Sequence, residues 1–280
     1  MLHAKMPSVK LTAVFQLLSR LAIALWVGFC AQGFSQTRIV STSPSLTELI
    51  FQLGHGNQIV GTSQHSDYPE AAKAIPRIGT LLLPSVEKIL YFHPDSVLVD
   101  MESTPKNLVT QLEKLKINCF KITIQTVSDL FEQSQKILTH FFNENHNDQI
   151  LNFSRHFTDN KLQIKKNFSF IILAWPNPMY FIGRHTFLSD LLTQFGGSNL
   201  ISPKITASYP QVSEEWLIKN PPEILFILGD NEEQKIQTER VSRRLWPQHK
   251  TKVIFLPSDK FARTSFTALE FLPDILKREL

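Results

Sequence analysis

The sequence predicts an α/β protein of two lobes joined by a single long helical connector. Three observations carry this. From Arg38 onward short β-rich runs alternate with amphipathic stretches, the alternation stops between about Val127 and Lys166, and it then resumes to the C-terminus. The chain therefore divides into residues 1–35 as a leader, 36–126 as the first lobe, 127–166 as the connector and 167–280 as the second lobe.

The leader has the layout of a secretory signal. Lys5, Lys10 and Arg20 precede the apolar run "LAIALWVGFCA", and no Asp or Glu occurs before Glu48. The small residues of "AQG" place cleavage near residues 33–35. Leu21–Ala31 alone is shorter than the ~20 apolar residues a membrane span needs. Without residues 1–35 the 29 Lys/Arg and 25 Asp/Glu become 26 and 25, a net charge of +1. That balance carries no electrostatic footprint for nucleic acid or a broadly anionic surface. Only Cys119 remains, so no intramolecular disulfide forms, and a chain of this size relies on its core instead.

In the first lobe "RIVST" and "NQIVGTS" read as strands around the helix "SPSLTELIFQLG". Pro44 is placed as its first residue, Ser45 and Glu48 have capping-box spacing, and Gly54 stops it. "SVLVD" is the next strand. In "TPKNLVTQLEKLKI" Thr104 is the expected cap, Pro105 opens the helix, and Leu108, Leu112 and Leu115 make one face. "NCFKIT" closes the lobe as a strand. The connector is long and polar-faced, with "NENHND" as the one place that interrupts or kinks a helix. The second lobe reads "FSFIILA", "FLSDLLTQFGG", "SEEWLIKN", "EILFIL", a charged helix, "KVIFL" and a final helix.

No catalytic motif emerges. "GHGNQI" follows a helix rather than a strand and lacks the third glycine of a dinucleotide fingerprint. There is no G-x-S-x-G elbow, P-loop or H-E-x-x-H. His140, His146 and His156 lack the spacing of a metal site. No catalytic residue, resident cofactor or metal ligand is assigned, which argues against an enzyme.

The segments "SPSLTELIFQLG", "SDYP", "VEKILYFHPDSVLV", "YPQVSEEWL" and "LPSDKFAR" together resemble the substrate-binding proteins with a helical backbone that serve ABC importers of cobalamin, haem and ferric siderophores. The likeness runs from about Arg38 to Leu276. It implies two α/β lobes on one long helix, a ligand cleft between them, a periplasmic location and a monomer. It also implies capture of cobalamin or a related corrinoid for an ABC permease. A haem or ferric-siderophore ligand is the alternative, and a ligand-free structural or signalling module on the same fold is the rival from another class.

The same resemblance implies site residues. Asp259, Lys260, Phe261, Ala262 and Arg263 match a segment that meets the carboxamide rim of a corrin, where a carboxylate accepts from amide N–H and a guanidinium donates to amide carbonyls. From the residues alone, Asp259 and Arg263 read equally as an i,i+4 helix pair. His65 stands where a cobalamin binder has tyrosine; an imidazole there packs on a corrin or coordinates a metal. Leu81 and Asp100 replace cleft tryptophans, Tyr209 stands for another, and Tyr180 or Trp175 supplies a further aromatic wall, with core as the competing place for Trp175. Glu87 and Glu215 fall where the family presents one glutamate per lobe to its permease, although each also suits the first turn of a helix.

Overall fold

The computed structural model describes residues 37–164, 166–229 and 232–280. The leader, with its cleavage near residues 33–35, lies outside the described residues. The first lobe runs β1 (Ile39–Ser41), α1 (Pro44–Gln52), β2 (Ile59–Thr62), α2 (Val86–Tyr91), β3 (Ser96–Asp100), α3 (Lys106–Lys114) and β4 (Cys119–Ile122). Its strands form one parallel sheet in the order β2-β1-β3-β4. The connector holds α4 (Val127–Ile137) and α5 (Asp148–Gln163). The second lobe follows as β5 (Phe168–Pro176), β6 (Met179–Phe181), α6 (Phe187–Gln194), β7 (Gly197–Asn199), α7 (Glu214–Lys219), β8 (Ile224–Gly229), α8 (Glu232–Leu245), β9 (Lys252–Pro257), α9 (Ser258–Phe261) and α10 (Phe266–Glu279). Its sheet has the order β6-β5-β8-β9. Strand β7 pairs in parallel with the start of β5, and β6 runs antiparallel to its end.

Strand side chains alternate between two cores, as the period of two requires. Phe168, Phe170 and Ile172 of β5, Ile224 and Phe226 of β8, and Ile254 and Leu256 of β9 point into one cluster. Ile171, Leu173, Leu225 and Ile227 point into a second, confined to that lobe. The first lobe repeats the arrangement: Ile39 and Leu98 join the first cluster, whereas Val40, Val97 and Val99 join Leu108 and Leu112 of α3 in a third. The first cluster therefore spans both sheets, α1, the connector and α10.

The connector is not the single long helix expected. A π-helical turn at Leu138–Phe142 follows α4, and Asn143 then adopts a left-handed φ of 54°, which ends the helix. Asn147 caps α5 by accepting from Gln149 N at 3.1 Å and Ile150 N at 3.3 Å. The break is fastened to the first lobe. His55 stacks on Phe142 with ring centroids 3.5 Å apart and places Nε2 3.1 Å from Glu144 Oε1.

Two capping expectations also differ. Ser43, not Ser45, caps α1, accepting from Leu46 N at 3.2 Å, and Glu48 turns inward instead of back to the helix start. Thr104 does not cap α3; its hydroxyl meets Thr42 Oγ1 at 2.7 Å, tying β1's exit to β3's. Leu115 lies past the end of α3 and is half exposed, so it leaves the apolar face that Leu108 and Leu112 share.

Candidate functional site

The C-terminal ends of the strands in both lobes open onto a shared cleft of 420 Å³. This is where an open parallel sheet leaves room, because loops diverge there. From the first lobe come Ser43 and Ser45 after β1, Asp100 as the last residue of β3 with Glu102 and Ser103 after it, Ile124 and Gln125 after β4, and Leu81 from the loop before α2. From the second come Trp175 at the end of β5, His185 to Phe187 at the start of α6, Ser208 and Tyr209, and Ala262 to Thr264 after α9.

The aromatic wall belongs to the second lobe. Trp175 is 61% exposed and Tyr209 55%, although both are large rings, so neither is core. Tyr180, paired with Trp175 in the β5–β6 register, lies outside the cleft lining. Desolvation, followed by the charges of Asp100 and Glu102, holds the Tyr209 phenol above its ordinary range. The opposite wall is acidic. Asp100 Oδ1 accepts from Glu102 N at 3.0 Å, and Glu102 Oε1 accepts from Gln125 Nε2 at 2.9 Å.

The segment Asp259–Arg263 divides between roles. Ala262 and Arg263 line the cleft, but Phe261 is 4% exposed in the spanning core and is corrected from ligand contact to packing. Asp259 and Lys260 stand outside the lining and pair with each other at 3.3 Å. The Lys260 ammonium sits 5.3 Å from the Tyr68 ring centroid and 4.8 Å from that of Phe271. The i,i+4 carboxylate pairing of Arg263 does not form. Its Nη2 donates to the Asp259 carbonyl, and its Nε donates to Glu48 Oε2 of α1.

Glu48 is fully buried. Besides Arg263, its Oε1 accepts from Ser265 Oγ at 2.7 Å and from Thr267 Oγ1, so one first-lobe carboxylate holds three second-lobe donors. Gln52, one turn on, adds two further bonds across the same seam: its Nε2 donates to Thr267 Oγ1 at 2.9 Å and its Oε1 accepts from Phe266 N at 3.1 Å. Spacing marks Glu48 only as a capping-box residue and does not mark Gln52, Glu102 or Gln125 at all. Their position after, or on the helix after, a strand is the signal that points to them.

His65 is exposed, takes a left-handed φ of 68° and lies outside the cleft lining. It precedes by three residues Tyr68, whose ring centroid is 5.4 Å from the Arg263 guanidinium carbon. Glu87 and Glu215 are both exposed in the first turns of α2 and α7, capped by Ser85 and Ser213. Glu215 also pairs with Lys219 at 2.6 Å.

A family profile described as "Periplasmic binding protein" matches residues 39–259. The Vitamin B12-binding protein of Yersinia pestis is 27% identical over 237 residues, 81% of each chain. Among solved structures, the periplasmic vitamin B12 binding protein BtuF of Vibrio cholerae superposes with a TM-score of 0.72 at 21% identity, over 86% of this chain and 94% of that one. The periplasmic heme binding protein HutB of the same organism gives 0.70 at 20% identity, over 88% and 98%.

Proposed function

Because the chain belongs to the periplasmic binding protein family, we propose that it is an exported solute-binding protein that captures cobalamin or a related corrinoid and delivers it to an ABC permease. The observation that carries this is the cleft itself, with Trp175 and Tyr209 exposed on one wall and amide-pairing groups on the other. A flat macrocycle gains most of its affinity from aromatic area, and its rim from hydrogen bonds. The sequence likeness to a Vitamin B12-binding protein supports the ligand class.

A corrinoid is larger than the 420 Å³ enclosed, so it overhangs the lining. Leu81, Tyr209, Ala262 and Arg263 then form the floor and walls. Asp259, Lys260, His65 and Tyr180 are assigned to the rim, each being a near neighbour of a lining residue or of Tyr68. Arg263 presents only what Glu48 and the Asp259 carbonyl leave unused.

Glu87 and Glu215 are assigned to permease docking, one carboxylate per lobe, with the protein acting as a monomer. Their exposure supports this, and capping by Ser85 and Ser213 does not compete with it. No catalysis is assigned.

Calorimetric titration of the chain from Gln36 with cyanocobalamin, and separately with haemin, tests the reading. One-to-one binding of cyanocobalamin is expected. Binding of haemin alone would transfer the site to the haem branch, and binding of neither would leave a module that kept the fold without the ligand.

A further inference from the structure

Asp100 and Glu102 open onto the cleft, and neither is paired with a cation among the described residues. Their hydrogen bonds go to a backbone N–H and to a neutral amide. Arg263, the guanidinium that faces the same space, is already balanced by the buried Glu48 carboxylate. The His185 ring is turned to the second lobe, its Nε2 3.4 Å from the Pro203 carbonyl. The cleft therefore holds two uncompensated negative charges on its first-lobe wall. The phenol of Tyr209, on the opposite side, is raised first by desolvation and then by the charges of Asp100 and Glu102, so its ring lies within their reach. Ser103 Oγ, on this wall too, is buried and has no hydrogen-bond partner.

We infer that Asp100 and Glu102 make the cleft a charge filter, admitting a macrocycle whose rim at this wall is neutral or cationic and rejecting one edged with carboxylates. This rests on the corrinoid reading and adds a specificity determinant to it. A carboxamide rim gives N–H donors to both carboxylates and a carbonyl to Ser103 Oγ–H. A carboxylate rim gives none, and each like-charge contact in a partly desolvated cleft weakens binding by roughly tenfold. Haem carries two propionates and a corrinoid is fringed with amides, so the two ligand classes differ at the position this wall inspects.

The test uses cyanocobalamin, its nearly isosteric monocarboxylic acids in which one carboxamide has been hydrolysed, and haemin as the carboxylate-edged macrocycle. Each is titrated into the wild-type chain and into D100N/E102Q, which keeps the bonds to Glu102 N and Gln125. The expected result is that at least one monoacid binds the wild type about tenfold or more weakly than cyanocobalamin, and that the double variant closes that gap. The gap should also narrow on going from low to high salt, which a shape effect would not do. Equal binding of all acids to the wild type, or a gap unchanged in the variant, overturns the filter while cyanocobalamin binding keeps the ligand reading. Absence of cyanocobalamin binding to the wild type overturns both.

Discussion

Glu48 Oε2 accepts from Arg263 Nε across the seam between the lobes, and the two residues are 215 apart in sequence. The carboxylate is buried with Ser265 and Thr267 as its other second-lobe donors. Charge taken out of water is tolerated because every partner is a donor, and removal of the carboxylate leaves the buried hydroxyls of Ser265 and Thr267 without their acceptor and Arg263 without its counter-charge. Glu48→Ala should therefore destabilise the chain by roughly 3–5 kcal/mol. At this chain length that lowers the thermal midpoint by on the order of 10 °C. Glu48→Gln, which keeps the shape and an acceptor, should cost less. A midpoint unmoved by Glu48→Ala would show the pair to be dispensable.

The phenol of Tyr209 should ionise above the ordinary tyrosine range in an ultraviolet titration, because desolvation and the Asp100 and Glu102 charges oppose the phenolate. The folded value is raised, so the associated stability is complete below the unfolded value of about 10 and is lost as pH rises through the folded one. D100N/E102Q should move the Tyr209 titration downward, and Tyr209→Phe should delete it from the profile.

Trp175 and Phe261 should separate in their effects. Trp175 is exposed in the cleft, so Trp175→Ala is expected to weaken cyanocobalamin binding by roughly tenfold with little change in unfolding. Phe261 is buried, so Phe261→Ala should cost about 3–5 kcal/mol of stability through the cavity it leaves. Calorimetry paired with urea unfolding checks both.

Asn143 ends the π-helical turn with a left-handed backbone. Asn143→Ala should lose about 1–2 kcal/mol, since alanine has no compensating side-chain hydrogen bond in that region. Asn143→Gly should be tolerated, because glycine meets no Cβ penalty there. Equal unfolding midpoints for the two variants would show that the φ of 54° carries no strain cost.

Reversing Glu87 and Glu215 to Lys should abolish permease binding or transport and leave cyanocobalamin affinity nearly intact, since both lie outside the cleft. Transport that survives both changes would remove the docking assignment.

The two sheets were legible because strand periodicity is local. Runs such as "FSFIILA" and "EILFIL" announce themselves as strands, and Pro44 marks the start of α1. The roles that depend on distant partners were not. Glu48 sits three residues after Ser45 and so imitates a capping box, whereas its partners are Arg263, Ser265 and Thr267 from the far end of the chain. Arg263 and Asp259 imitate a helix pair, but α9 is only four residues long and closes before Arg263. Trp175 was undecided between core and cleft because it ends an apolar strand; the turn to β6 carries it out into the opening. The connector's break was visible as "NENHND", although the π turn before it has no composition of its own.

The apolar cluster that runs from Ile39 through Leu130 and Phe266 to Leu276 joins the lobes through one interior, beside the smaller cluster that each keeps to itself. A denaturant should meet one cooperative transition rather than two, since melting either lobe strips the cover from the face that the other sheet gives to this cluster. A protease that cuts between Asn143 and Asn147 should yield two fragments that stay together and are released only by unfolding, so the chain behaves as one body even when its backbone is not continuous.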